Sequence, residues 1–259
     1  MDPVIVKLGG SVITRKSEES TLRPKVLTRL AQELLSGWSS AGRPPMVVVH
    51  GAGSFGHPWA KKWALNAPPP GPRGQRGRGV AVTSYQVRVL HNRVLKALLE
   101  SGIPALSLPP SSVGTNHEGK LERLDLGPVM EATAHGMVPV TMGDVVPDSV
   151  WEFSILSGDT LMLELARALH PGRAIFVSDV DGLLDPADHR KVMPKITEAN
   201  LRSLSPTGKV DDVTGGIVGK ARCMLEIGQL GVRTGLVNGL REGVLESALG
   251  GSERSGSWT

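Results

Sequence analysis

Residues 50–57 read HGAGSFGH and come directly after the apolar run Met46, Val47, Val48 and Val49. A buried strand that stops in a glycine-rich turn leaves backbone N–H groups unpaired at the end of a sheet. Such a turn, opening toward a helix, is a receptor for phosphate. Gly51, Gly53 and Gly56 carry no Cβ and let the chain come close to an anion. Ser54 adds a hydroxyl donor, and His57 adds a ring donor where the turn ends. A second turn, KLGGS at 7–11, follows the apolar run that begins at Val4. Two such turns after two strands fit two phosphate groups held side by side, which is what phosphoryl transfer requires.

The remaining chain alternates between strand and helix patterns. Apolar runs predict a first strand over 3–8, a second over 46–49, and others over 104–108, 137–142, 174–177 and 234–237. Helical spacing predicts helices over 24–38, 84–101, 127–135, 159–170, 216–230 and 242–249. The first of these carries Val26, Leu27, Leu30, Ala31, Leu34 and Leu35 on one face. This alternation is that of an α/β fold with a mainly parallel sheet covered on both faces. Ligands of such sheets sit beyond the carboxyl ends of the strands, where each glycine turn named here falls. The stretch APPPGPRGQRGRG at 67–79 breaks any regular element and is expected to be a surface loop or a mobile flap. Residues 251–259, dominated by glycine and serine, are expected to fray.

At 259 residues the chain can bury a large core, and it is expected to form a single domain. Aromatics at 3% leave few platforms for stacking the bases of single-stranded nucleic acid. The net charge of +4 admits nucleic acid but also fits a small anionic substrate. No acid occurs between His57 and Leu99, whereas Lys61, Lys62, Arg73, Arg76, Arg78, Arg88, Arg93 and Lys96 do. That run is ordinarily a solvated loop and a basic helix face; the alternative is a field that draws in anions. The single cysteine, Cys223, forbids an internal disulfide and suggests a reducing compartment. Its apolar helical setting marks it as core, not nucleophile. The chain starts without a signal-peptide pattern, and no apolar run reaches the ~18 residues of a membrane span. The expectation is a cytoplasmic enzyme with no membrane and no nucleic-acid partner.

Several motifs compete for these turns. GAGSFG at 51–56 matches the dinucleotide fingerprint GxGxxG, but that fingerprint needs an acid about 20 residues on, and none appears before Glu100. GGIVGK at 215–220 is one residue short of a Walker loop and is followed by Ala221 where Ser or Thr is required. A phosphoryl-transfer enzyme of this sequence is therefore not a P-loop kinase. Lys7 lies inside the apolar strand IVKLGG, and an ammonium buried there demands a partner. Lys16 and Lys220 stand near further glycine turns, although Arg15-Lys16 also suits a polar loop. Asp159 and Asp179 fall at strand and helix junctions, where they could cap and turn the chain or orient lysines, ribose or a metal. His50 ends a strand as a structural histidine would, whereas His57 follows the turn and suits an anion ligand. His91, His117, His135, His170 and His189 lack metal-ligand spacing.

Together, KLGGSVIT at 7–14, Lys16, HGAGSFGH at 50–57, Gly143-Asp144-Val145, FSILSGD at 153–159, SDVDG at 178–182 and DVTGGIVGK at 212–220 resemble the amino acid kinase superfamily. Within it they look most like the isopentenyl phosphate kinase family. The histidine closing HGAGSFGH is the narrower mark, and fosfomycin kinase shares something like it. The resemblance runs from residue 4 to about 249. It implies a three-layer α/β/α sandwich, an acceptor-binding half over about 1–170, an ATP-binding half over about 171–250, and a homodimer. On the matched positions it implies that Lys7, Gly9, Gly10 and Ser11 hold the transferring phosphoryl and that Lys16 steadies its charge. Ala52, Gly53, His57 and Gly158 would take the acceptor phosphate, with Gly53 also facing the ATP phosphates. Asp179, Gly216 and Lys220 would belong to the nucleotide site, and Asp159 would orient lysines. The implied reaction is ATP-dependent phosphorylation of isopentenyl phosphate to isopentenyl diphosphate, with Mg²⁺ carried on ATP oxygens and no metal site of the protein's own. Residues 59–79 depart from the family, which commonly has a longer and more acidic stretch bordering the tail pocket. A phosphonate kinase like fosfomycin kinase, and a non-catalytic nucleotide-binding protein on the same fold, remain as alternatives.

Overall fold

An unbroken apolar run is what a strand covered on both faces requires, and β1 (Val4–Leu8) is buried along its whole length. The computed structural model describes residues 1–72, 74–188, 190–204 and 216–259, the side chain of Ser203 aside. After β1 come α1 (Gly10–Ile13), α2 (Pro24–Ser40), β2 (Met46–His50), α3 (Gly53–Lys62) and α4 (Gly77–Ser101). Next are β3 (Ala105–Ser107), β4 (Gly114–His117), β5 (Lys120–Leu124), α5 (Gly127–Ala134) and β6 (Val138–Met142). Then follow β7 (Asp144–Asp148), β8 (Glu152–Leu156), α6 (Gly158–Leu169) and β9 (Arg173–Ser178). The chain closes with β10 (Leu183–Leu184), β11 (Val192–Met193), α7 (Glu198–Leu204), α8 (Gly216–Gln229), β12 (Arg233–Asn238), α9 (Val244–Leu249) and β13 (Ser257–Trp258).

The central sheet has the order β13-β12-β9-β1-β2-β6-β3. Every neighbouring pair in it is parallel except β12 with β13. Side chains alternate across a strand, so Val4, Val6 and Leu8 join one core with Leu30 and Leu34 of α2, Leu90 and Val94 of α4, and Leu245 of α9. Ile5 joins the opposite core with Leu161 and Leu165 of α6 and Met224 and Ile227 of α8. Helices thus cover both faces, which gives the expected three layers. By the same alternation Lys7 falls on the face of α6 and α8. Its register partners are Val49 on β2 and Phe176 on β9.

Two expectations need correction, and one feature is not anticipated by the sequence. The tail does not fray: β13 pairs with β12, Trp258 is buried, and the Ser257 hydroxyl accepts from Leu183 N at 2.7 Å and donates to the Met193 carbonyl at 2.6 Å. The 67–79 stretch is a surface loop but not a free flap. The helix that follows it begins at Gly77, two turns before the periodicity predicts, because Gly79 packs against the Trp63 ring so closely that a Cβ would lie 2.3 Å from Trp63 Cγ. Arg76 is buried and donates to the carbonyls of Ala64, Ala67, Trp151 and Phe153, while Gly74 N donates to Glu152. Finally, β4, β5, β7 and β8 form a second sheet of order β5-β4-β7-β8 that apolar patterning does not announce. These strands are short, β4 and β5 are largely polar, and β7 contains Pro147. The two hairpins β4-β5 and β7-β8 join through a single β4–β7 pairing, Asn116 with Asp148.

Candidate active site

The carboxyl ends of β1, β2, β6 and β9 open into one cleft of about 490 Å³. Beyond them the amino ends of α3, α6 and α8 reach the same space through Gly53, Gly158 and Gly216. Helix amino ends present free N–H groups and a positive dipole, so the floor of this cleft is built for anions.

The two glycine turns from the sequence are packed against each other. A Cβ on Gly10 would lie 2.4 Å from Gly53 N, and one on Gly53, whose φ is +50°, would lie 2.3 Å from Thr14 Oγ1. Thr14 ties the turns together, donating to the Gly10 carbonyl at 2.6 Å and accepting from Ser54 N at 3.0 Å. These glycines therefore serve backbone-to-backbone approach as well as access for a ligand. The Ser54 hydroxyl is engaged with the backbone of Thr21, at 3.1 Å to its N and 3.3 Å to its carbonyl, which corrects the expectation of a free donor.

At the buried end, Lys7 Nζ lies 2.5 Å and Lys220 Nζ 3.5 Å from the same oxygen, Oδ1 of Asp159. Both ammonium groups also sit over Phe176, 5.9 and 5.8 Å from the ring centroid. Burial pushes the Lys7 ammonium down to about 8; Asp159 opposes that shift and Lys220 adds to it. Burial alone would raise the Asp159 carboxyl, but Lys7 and Lys220 overcome it and hold the group at about 2. Two cations around one carboxylate leave this corner short of negative charge, which a bound phosphate would supply. Cys223 Sγ donates to the Asp159 carbonyl at 3.2 Å, and burial pushes its thiol up to about 12, so it is inert packing.

At the rim, Asp179 accepts from Ser11 Oγ at 2.7 Å and lies 3.1 Å from Lys16 Nζ. Burial would raise the Asp179 carboxyl, but the Ser11 and Lys16 contacts lower it on balance. Lys16 itself is largely exposed at the mouth of the cleft.

Gly53, His57 and Ala60 are spaced four and three residues apart on α3 and all line the cleft. They lead from the phosphate turns into an apolar arm formed by Thr83 and Val87 of α4, Val145 of β7 and Ile155 of β8, with Asn66 beside them. Asp144 borders this arm, fully buried, with its carboxylate 2.8 Å from Arg88 Nη1; burial pushes that carboxyl up, and Arg88 opposes the shift. Arg88 also donates to Ser111 Oγ at 2.7 Å. Two residues of the basic run are thus internal ties: Arg76 is buried, and the partly exposed Arg88 is paired with Asp144.

Every site residue singled out in the sequence, from Lys7, Gly9, Gly10, Ser11 and Lys16 through Ala52, Gly53 and His57 to Gly158, Asp159, Asp179, Gly216 and Lys220, lines this one cleft. Asp212 to Gly215 of the DVTGGIVGK element, together with Arg73 and His189, lie outside the described residues. Sequence reading missed Phe176, which only register brings under the two lysines, and the arm residues Val87, Val145 and Ile155. Ser157 had a local signal, a serine just before a helix, and it caps α6 by accepting from Thr160 N at 3.1 Å.

Fold and cleft together define an enzyme of anionic substrates built on a parallel sheet. The chain belongs to the amino acid kinase family, whose pattern matches residues 2–238. It is similar to the isopentenyl phosphate kinase of Methanothermobacter thermautotrophicus, with 39% identity over 98% of this chain and 97% of that one. An isopentenyl phosphate kinase known from X-ray structures superposes with a TM-score of 0.84 at 34% identity, covering 99% of this chain and 100% of the other. A crystal structure of an isopentenyl phosphate kinase substrate complex superposes with a TM-score of 0.76 at 28% identity, over 98% and 99% of the two chains.

Proposed function

We propose that this cleft transfers the γ-phosphoryl group of MgATP to the phosphate of isopentenyl phosphate, giving isopentenyl diphosphate and ADP. The observation that carries the reading is the continuity of one cavity from the Lys7–Asp159–Lys220 cluster, past His57, into the apolar arm of Val87, Val145 and Ile155. A small phosphate ester with a branched hydrocarbon tail has that division of polarity. The 39% identity to an isopentenyl phosphate kinase over nearly the whole chain supports the same substrate.

The acceptor phosphate has a second pKa near ~6, so at neutral pH it already presents a nucleophilic oxygen and no general base is needed. Catalysis reduces to alignment and to relief of repulsion between two anions. Lys7, Gly9, Gly10 and Ser11 hold the transferring phosphoryl, and Lys16, aimed by Asp179, neutralises charge as the bond to ADP breaks. Asp159 orients Lys7 and Lys220. Ala52, Gly53, His57 and Gly158 hold the acceptor phosphate, while Gly216 and Lys220 serve the nucleotide. The cleft carboxylates Asp144, Asp159 and Asp179 each already face a cation. Pairing of these carboxylates favours Mg²⁺ entering on nucleotide oxygens.

Acceptor contacts come mainly from about 1–170 and nucleotide contacts from about 171–250 in this reading. The chain acts as a cytoplasmic homodimer, and the exposed Leu106 on the edge strand β3 favours pairing there. No helix of the described residues is long and apolar enough to cross a membrane. The test is ADP release by purified protein with isopentenyl, dimethylallyl and geranyl phosphates and with fosfomycin. Isopentenyl phosphate should give the highest kcat/KM; preference for fosfomycin would replace the isoprenoid reading with phosphonate chemistry, and ADP release with none would leave a nucleotide-binding protein.

A further inference from the structure

Two histidines behind the acceptor turn, His50 and His91, have no part in the mechanism above, yet both are completely or almost completely buried. His50 is the last residue of β2 and His91 lies within α4. Their rings stack with centroids 5.2 Å apart. His50 Nδ1 is 3.1 Å from the Gly51 carbonyl, His50 Nε2 is 3.0 Å from His91 Nδ1, and His91 Nε2 is 2.8 Å from Ser107 Oγ.

The proton positions follow from the end of this chain. A carbonyl oxygen can only accept, so His50 Nδ1 carries the hydrogen and, in a neutral ring, His50 Nε2 accepts. His91 Nδ1 must then donate, which makes His91 Nε2 an acceptor for the Ser107 hydroxyl. Burial keeps both rings neutral, at about 3 for His50 and about 4 for His91. The charged groups nearby point the same way: Arg88, on the same helix as His91, disfavours a further positive charge, and Asp144 of β7 is already occupied by Arg88.

We propose that His91 is a positioning residue that acts through His50 to hold the Gly51 carbonyl, and thereby aims the Ala52 N–H into the acceptor end of the cleft; this rests on the kinase reading. The link is the peptide plane. In a trans peptide the N–H of Ala52 points opposite to the C=O of Gly51, so a carbonyl drawn toward His50 turns the amide toward the side that faces away from the two rings. Ala52 lines the cleft. Turning that peptide over changes ψ of Gly51 and φ of Ala52. Gly51 has no Cβ to oppose the change, so the His50 contact supplies a restraint on its side that Gly51 does not.

Two isosteres separate this relay from simple packing. His91→Asn sets an amide donor close to the Nδ1–H position and keeps the bond to His50. His91→Gln reaches only toward Ser107 and loses it. The acceptor KM should stay near wild type in His91→Asn and rise roughly three- to tenfold, the scale of one neutral hydrogen bond, in His91→Gln, with the ATP KM unchanged in both. Equal behaviour of the two variants, or a rise confined to the ATP KM, overturns the proposal. Nitrogen-15 NMR of wild-type protein labelled at histidine should show both rings neutral at pH 7 with the proton on Nδ1; a ring protonated on Nε2, or a charged ring, overturns it even where a variant fails to fold. If wild type phosphorylates none of the acceptors, the kinase reading fails, and the Ala52 role proposed for the relay fails with it. Normal turnover with the wrong tautomers rejects the relay alone.

Discussion

The two ends of the cleft are made in different ways. The charged end is built at the carboxyl ends of β1, β2 and β9 and the amino-terminal parts of α6 and α8. Lys7–Ser11, Ala52–Gly53 and Asp179 stand at or just past the end of their own strand, and Asp159 and Lys220 meet Lys7 from the two helices. The apolar arm is made of side chains from α3, α4, β7 and β8, which meet only because a second sheet packs beside the first. Phosphate is recognised by N–H groups and cations that a few contiguous residues can supply. A hydrocarbon tail is recognised by the shape of a wall, and that shape belongs to no single segment. A single fold can therefore keep its phosphate chemistry while the tail end varies.

Breaking the charged end should have the largest effect. Lys16→Ala should lower kcat by roughly 10²–10³-fold, the scale for losing one donor to transition-state charge, and leave both KM values within a few-fold. A kcat within twofold of wild type would remove Lys16 from the chemistry. His57→Ala should act at the junction of the two ends, raising the acceptor KM roughly ten- to a hundredfold, as expected for one charge-assisted hydrogen bond. If the ATP KM rises instead, His57 belongs to the nucleotide.

The pH dependence sharpens the same comparison. Lys7 is held at about 8 by burial, so kcat/KM should fall as pH rises through that value and the ammonium loses its charge. Asp159 is the group that resists this lowering. Asp159→Asn should therefore move the alkaline limb to lower pH, because burial and Lys220 then act unopposed. A limb that does not move would mean that a group other than Lys7 controls it.

How far the sequence could be read follows the same division. HGAGSFGH, KLGGS and the serine-glycine start of α6 are contiguous, and the cleft they predict is where the structure puts it. Lys7 was legible because an ammonium inside an apolar strand needs a partner, and Asp159 stands 2.5 Å from it. Phe176 was not legible, since nothing local in β9 says which strand lies beside it. Nor was the second sheet: in β4, GTNH, and β5, KLERL, polar residues hold the pattern that a core would otherwise reveal. The tail failed for a related reason. Glycine and serine signal looseness, whereas Trp258, near its end, packs into the core and pulls the segment into the sheet.

The smallest effect on catalysis, and the sharpest test of the arm, concerns Arg76. Its guanidinium donates to the Ala64 carbonyl at 2.8 Å, Ala67 at 3.0 Å and Phe153 at 3.2 Å, and also to Trp151. Ala64 and Ala67 bracket Asn66, and Phe153 lies two residues before Ile155, so the clamp sits behind two residues of the arm. In Arg76→Ala these carbonyls face a void. Each one left dry costs about 1–3 kcal/mol, and Tm should fall by roughly 2–4 °C for each kcal/mol lost. The kcat for isopentenyl phosphate and the ATP KM should hold, because no phosphate contact depends on the clamp. The ratio of kcat/KM between geranyl and isopentenyl phosphates should change by about threefold as the wall relaxes, a shift worth about 0.7 kcal/mol. Glu152→Gln provides the contrast, since among the described residues its side chain accepts from the exposed Gly74 N, and it should leave both Tm and the ratio unchanged. A lower Tm with an unaltered ratio in Arg76→Ala would show that the arm keeps its shape without the clamp, and that Val87, Val145 and Ile155 alone set the tail.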